Sequence, residues 1–149
     1  MNKLDEIKEI LYKELEGKCF GYKKKNGYDH LFGTSAICAL LAYQRHLDLD
    51  IASIIGLFHD YSTYVTGNSF KHALRSSELV KKILIESDFF NEEEISIIVT
   101  AISNHSQKGI IQDEYSELIK DADVLHQYFQ QTNAVFSEDY NRRLKLLKK

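Results

Sequence analysis

Apolar residues recur at steps of three and four along most of the chain, which is the period of an α-helix with one buried face. In the N-terminal segment, Leu4, Ile7 and Leu15 lie on one such face. We therefore predict an amphipathic helix over residues 3–16 that ends at Gly17. No stretch alternates apolar and polar residues convincingly in the way that a half-buried strand does.

The same period predicts six further helices, over residues 29–47, 50–61, 71–87, 91–105, 114–131 and 137–147. A loop through the segment KCFGYKKKNGY is predicted to join the first two helices. Asn91, followed by three glutamates, and Asp50 are the residue types that cap helix N-termini. The chain contains no proline, which removes the usual interruption of helices. We predict one all-α domain over residues 1–149, a helical bundle of about six to seven helices.

The charge of the chain excludes some classes of partner. A formal net charge of -3 gives no reason to expect nucleic-acid binding, which normally requires a basic surface. Two local clusters of basic residues remain. Residues Lys23–Lys25 are predicted to lie in the exposed loop. The C-terminal cluster is predicted to be a solvated last helix turn: Arg142, Arg143, Lys145, Lys148 and Lys149.

The cysteines and the apolar segments bear on location. Cys19 and Cys38 are isolated, so we expect reduced thiols, with Cys38 in the core. The N-terminal segment lacks the apolar region of a signal peptide. The longest apolar stretch, residues 36–43, is far shorter than the ~20 residues that span a membrane. We expect a cytoplasmic protein without membrane contact, and its oligomeric state is left open.

Four of the six histidines are predicted to lie on the apolar faces of different helices, near their ends: His30, His59, His72 and His105. A single histidine in such a place is usually a satisfied core residue. Four of them favour one shared metal site, because each buried imidazole needs a hydrogen-bond partner or a metal ion. His46 and His126 are predicted to be structural.

A metal site also requires carboxylates to balance its charge. Asp60 adjoins His59 in GLFHDYSTY, directly after an apolar run. A second carboxylate is expected from IKDADVLHQ, where Asp121 and Asp123 flank Ala122. The apolar stripe of that helix centres on Ala122, so each aspartate lies about 100° to one side of it. Periodicity does not choose between the two.

The ordered set of a histidine, a later His-Asp doublet and a distant aspartate resembles the HD-domain superfamily of metal-dependent phosphohydrolases. The resemblance covers roughly residues 28–130 and includes DHLFGTSAICALLA and DADVLH. In that family the doublet binds a metal ion from the end of a core helix, and the last ligand usually follows an alanine in Ala-Asp-x-Leu. This favours Asp123, with Asp121 as the alternative. The resemblance implies a first metal ion bound by His30, His59, Asp60 and Asp123, with His72 and His105 as ligands of a second.

The resemblance implies hydrolysis of a nucleotide or another small phosphate ester or anhydride, with one or two divalent Mn, Fe, Co, Ni or Zn ions as the cofactor. Asp60 is expected to orient the attacking water or accept its proton. His72 and His105 would stabilise phosphoryl charge if they do not bind a metal ion. Arg75 and Lys25 are expected to contact the substrate phosphate.

Two alternatives remain from the sequence. Some HD proteins with six ligands bind two irons and oxidise small substrates with oxygen. A non-catalytic module that binds a metal ion and senses a nucleotide or a partner is the other possibility. The segments HDYS and HSQKG are similar to motifs of dinucleoside tetraphosphate hydrolases. Cyclic-dinucleotide phosphodiesterases carry a Gly-Tyr-Pro motif, which this chain lacks, and a second histidine where this chain has Ser106.

Overall fold

Eight α-helices make up the fold in a computed structural model that describes residues 2–148. Their bounds are α1 Lys3–Lys18, α2 Gly21–Arg45, α3 Leu49–Phe58, α4 Tyr61–Thr66, α5 His72–Ser87, α6 Glu92–Asn104, α7 Glu114–Gln130 and α8 Glu138–Leu147. Residues 2–148 contain no strand. The predicted all-α class is therefore confirmed, with one short helix, α4, beyond the predicted number.

Side-chain caps fix where several helices begin. Asn91 accepts a hydrogen bond from the backbone N–H of Glu94, whose side chain accepts one from the N–H of Asn91, so the predicted cap is confirmed. The prediction that Asp50 caps the third helix is wrong. Asp48 is the cap, because α3 begins at Leu49 and the Asp48 carboxylate accepts from the N–H of Ile51 at 2.9 Å.

The predicted loop after α1 is also wrong, since α2 begins at Gly21 and includes all three lysines of the first basic cluster. Packing overrides the polar composition here. Gly27 is buried, and a Cβ at this position would lie 3.1 Å from the ring of Tyr64. The hydroxyl of Tyr28 donates to the Glu16 carboxylate at 2.6 Å and ties this first part of α2 to α1.

The closest packing of the core joins α2 to α3. A Cβ at Gly56 would lie 2.6 Å from Cα of Ser35, so the two helix backbones approach each other where α3 has no side chain. Cys38 is fully buried next to this contact, as predicted, and both cysteines are free. The close approach brings His30 of α2 near His59, which directly follows α3.

A turn at residues 59–60 separates α3 from α4, where the sequence predicted one continuous helix. Asp60 has φ -114° and ψ 20°, close to the bridge region in which active-site residues often occur. The helix therefore ends at Phe58, and His59 and Asp60 occupy the turn before Tyr61.

Helix α8 is anchored by Arg143, and the prediction of a solvated basic tail is wrong for this one residue. Arg143 is 8% exposed, and its guanidinium donates to the Lys108 and Ile110 carbonyls and to the carboxylates of Glu117 and Asp121. Arg142, Lys145 and Lys148 are exposed, and Lys149 lies outside the described residues. Among the helices of residues 2–148, none combines the length and the apolar content needed to cross a bilayer.

Candidate metal centre

Four side chains from three parts of the fold converge on one point: His30 from α2, His59 and Asp60 from the turn after α3, and Asp123 from α7. One potential ligand atom of each lies within 4.8 Å of the others. His30 Nε2 lies 2.9 Å from His59 Nε2 and 2.8 Å from Asp60 Oδ2. Asp123 Oδ1 is 3.3 Å from His30 Nε2 and 3.5 Å from His59 Nε2.

A second set shares Asp60 with the first and adds His72 and His105. Asp60 Oδ1 lies 2.9 Å from His105 Nε2 and 3.3 Å from His72 Nε2. The other oxygen of the same carboxylate, Oδ2, faces the first set. Asp60 therefore belongs to both sets of potential ligands, with one carboxylate oxygen facing each set.

The helix ends fix the orientation of two imidazoles. His59 and His105 cap the C-termini of α3 and α6, where backbone carbonyls have no partner within the helix. His59 Nδ1 donates to the Gly56 carbonyl and His105 Nδ1 to the Ile102 carbonyl, each at 2.7 Å. When each ring is neutral, its single proton is therefore on Nδ1 and its Nε2 lone pair faces the cluster.

The electrostatics of the cluster fit a bound cation. Burial lowers the pKa of His105 and so favours its neutral form. Because the one proton of the neutral ring is on Nδ1, the Nε2 lone pair faces Asp60 Oδ1 at 2.9 Å. Two acceptors at this distance repel unless a cation lies between them. Complete burial also disfavours charged His59, yet the Asp60 and Asp123 carboxylates raise its pKa to about 10 overall. Both carboxylates therefore attract positive charge. Imidazole and carboxylate donors together suit a divalent transition metal ion.

Asp121 and Asp123 have different environments. Asp121 Oδ2 accepts from Arg45 at 2.7 Å and its Oδ1 accepts from Arg143 at 3.0 Å, so its carboxylate is held outside the cluster. Asp123 lies within the cluster, and its Oδ2 accepts from Lys108 Nζ at 2.7 Å. Periodicity alone did not distinguish the two aspartates, whereas in the structure only Asp123 lies with the other potential ligands.

Comparison with known proteins supplies the family. The model of the HD domain family matches residues 27–128, more than half of the chain. The chain belongs to the HD domain family. No curated protein and no solved structure matches the chain significantly.

Three residues of this HD domain contact the predicted ligands although the sequence did not point to them. Lys108 is buried and pairs with Asp123, while Gln127 donates to the other Asp123 oxygen at 3.2 Å. His126 Nδ1 lies 3.1 Å from His30 Nδ1. The spacing of three residues from Asp123 to His126 places both on one face of α7 and could have identified His126. Lys108 follows His105 by three residues in a loop, and no periodic signal marks it.

A cavity of about 450 Å³ reaches the first set of ligands of the HD domain. Ten residues line it: Asn26, Asp29, His30, Asp60, Tyr64, His126, Gln127, Gln130, Gln131 and Phe136. Neither of the predicted phosphate-binding cations is in this lining. The Arg75 guanidinium lies 5.6 Å from the ring centroid of Phe70, and Lys25 is exposed next to Asn26.

Proposed function

We propose that this HD domain is a metal-dependent phosphohydrolase that acts on a nucleotide or another small phosphate ester or anhydride. The observation that carries the proposal is the shared position of Asp60. Its two oxygens face two sets of ligand atoms, and the same residue lines an open cavity that can admit a substrate. Two adjacent divalent ions with a cavity beside them suit the attacking and leaving oxygens of phosphoryl transfer.

A divalent ion in the first set would lower the pKa of a water towards about 7 and neutralise charge on the substrate. The chain's own residues position the reactants. Asp60, between the two sets, orients the attacking water or accepts its proton. His105 is held rigidly by the Ile102 carbonyl, and His72 is half-buried beside it, so both face the phosphoryl group or hold the second ion.

The cavity lining supports a substrate with a polar, uncharged part. Asn26, Gln130 and Gln131 present amides, and Tyr64 and Phe136 present aromatic rings. Amides hydrogen-bond the edges of a nucleobase or the hydroxyls of a sugar, and aromatic rings stack on flat groups. A nucleoside is such a group, so a nucleotide suits this lining.

The test is a product assay with Mn(II) and nucleoside mono-, di- and triphosphates and dinucleoside polyphosphates. We expect the wild type to release phosphate or nucleoside and Asp60→Ala to release none. Asp50→Ala is the matched control, because Asp50 is an exposed aspartate in the first turn of α3. Equal turnover by all three proteins would refute the proposed site. Ligand-induced stabilisation without turnover would instead support a binding module.

The shared carboxylate also favours a second candidate function, oxidation of a small substrate with oxygen at two irons. The six potential ligands and the bridging position of Asp60 suit either chemistry. Oxygen consumption by the iron-loaded protein, measured in the presence of candidate substrates, separates the two. Hydrolysis without oxygen uptake would reject the oxygenase.

A further inference from the structure

His126 packs against α2 in a space that a glycine leaves free. The imidazole is 7% exposed and lies over Gly33, where a Cβ would overlap its ring atoms Nε2 and Cδ2. The contact brings His126 Nδ1 to 3.1 Å from His30 Nδ1, across 96 residues of sequence. The sequence alone predicts only a structural role for His126.

His30 differs from the two buried histidines of the centre, His59 and His105, in how its ring is held. His59 and His105 lie at helix ends and donate from Nδ1 to backbone carbonyls of the last helix turn, those of Gly56 and Ile102. His30 lies inside α2, which spans Gly21–Arg45, where backbone carbonyls accept the hydrogen bonds of the helix itself. A hydrogen-bond acceptor for His30 Nδ1 must therefore come from another element.

The contact between the two imidazoles permits a single proton between their Nδ1 atoms. A neutral imidazole has one donor and one acceptor nitrogen, so one ring donates and the other accepts. His30 can offer its Nε2 lone pair to a metal ion only if its proton is on Nδ1. His126 must then accept at Nδ1 and carry its own proton on Nε2. The Gln130 side-chain nitrogen lies 3.4 Å from this Nε2, so the Gln130 amide must turn its oxygen towards His126 to accept that proton's hydrogen bond.

We propose that His126 is a positioning residue of the metal centre: it accepts the Nδ1 proton of His30 and so holds the Nε2 lone pair of His30 towards the ion. The proposal rests on the metal centre of the proposed function. Partners of this kind fix the tautomer and the ring orientation of a ligating histidine, and their loss typically weakens metal binding about 10- to 100-fold.

Metal affinity tests the role without any need for turnover. We expect His126→Leu to raise the dissociation constant for Mn(II) about 10-fold or more. His126→Asn should recover much of the affinity, because its side-chain oxygen branches from Cγ as Nδ1 does. Gly33→Ala should also weaken binding, since its methyl group displaces the intact imidazole.

Two controls match these variants. His46→Asn removes an exposed histidine at a left-handed position that asparagine tolerates, and Gly17→Ala adds a methyl group that meets nothing within 4 Å. Neither should change the dissociation constant. Equal affinities of the wild type and His126→Leu would overturn the positioning role. A wild type that binds no divalent ion would overturn the metal centre itself, and the positioning role with it.

Nitrogen NMR of the zinc-loaded wild type gives a readout that does not depend on how the variants fold. With ¹⁵N-labelled histidine, we expect a scalar coupling between Nδ1 of His30 and Nδ1 of His126, which arises only across an N–H···N hydrogen bond. The proton should be bound to Nδ1 of His30. A proton on Nδ1 of His126, or the lack of any coupling, would overturn the proposal.

Discussion

Replacement of Arg143 by leucine tests whether the last helix stabilises the loop beside the metal centre. Arg143 donates to the Lys108 carbonyl at 2.9 Å and to the Ile110 carbonyl at 3.0 Å. Lys108 in turn donates to the predicted ligand Asp123. The guanidinium therefore connects α8 to the loop that contacts the first set of ligands.

The expected loss in the free energy of unfolding depends on which partners of Arg143 keep another hydrogen-bond donor. Breaking a buried ion pair costs about 3–5 kcal/mol when the remaining charge is left uncompensated. Here Asp121 retains Arg45, and Glu117 retains Lys120. We therefore take the lower end, a loss of about 3 kcal/mol in the free energy of unfolding. For a chain of this length, this loss corresponds to a decrease of roughly 6–12 °C in the melting temperature.

Urea unfolding followed by circular dichroism measures this loss. Arg142→Leu is the matched control, because Arg142 is exposed and its ion pairs within residues 2–148 are with two acids of its own helix, the exposed Glu138 and the half-buried Asp139. Such surface pairs contribute about 0–1 kcal/mol. Equal free energies of unfolding for the two variants would show that the buried contacts of Arg143 do not stabilise α8.

Three further results are expected. His59→Ala should lose bound metal, and added Mn(II) should then no longer raise its melting temperature as it raises that of the wild type, since an ion stabilises only the state that binds it. Partial burial opposes ionisation of Glu117, yet hydrogen bonds from Arg143 and Lys120 lower its pKa below the usual value of 4.5. The ionised Glu117 therefore stabilises the fold fully above that pH, and this stabilisation is lost as the pH falls through the lowered pKa. Acid titration of Glu117→Gln should therefore show a shallower loss of stability than the wild type, and equal slopes would refute this. Gly56→Ala should cost about 1–3 kcal/mol through overpacking against α2, whereas Gly17→Ala should be neutral or stabilising in the same unfolding assay.

The sequence alone could place the histidines on the apolar faces of their helices, because the helical period depends only on local spacing. His59 and His105 follow apolar residues at steps of three and four, and both are buried. Their hydrogen bonds to carbonyls also arise locally, three residues back at each helix end. Local spacing therefore accounts for the burial of these two histidines, although it did not predict the turn that ends α3 before His59.

Periodicity does not predict which residues of distant helices contact each other. Asp121 and Asp123 are equivalent with respect to the apolar stripe, and only Arg45 and Arg143 draw Asp121 away from the cluster. His126 contacts His30 because α2 and α7 cross where Gly33 leaves room. Such contacts depend on tertiary packing, which overrides local preference.

The two sets of potential ligands are unequal, and the inequality follows from their surroundings. The first set has four residues, and Lys108 and Gln127 hold the two oxygens of Asp123 in one orientation. The second set has three, and the side chain of His72 is 32% exposed. A rigid, buried set of donors loses less entropy on binding an ion than a mobile one. We therefore expect the first set to bind a divalent ion more tightly than the second set would.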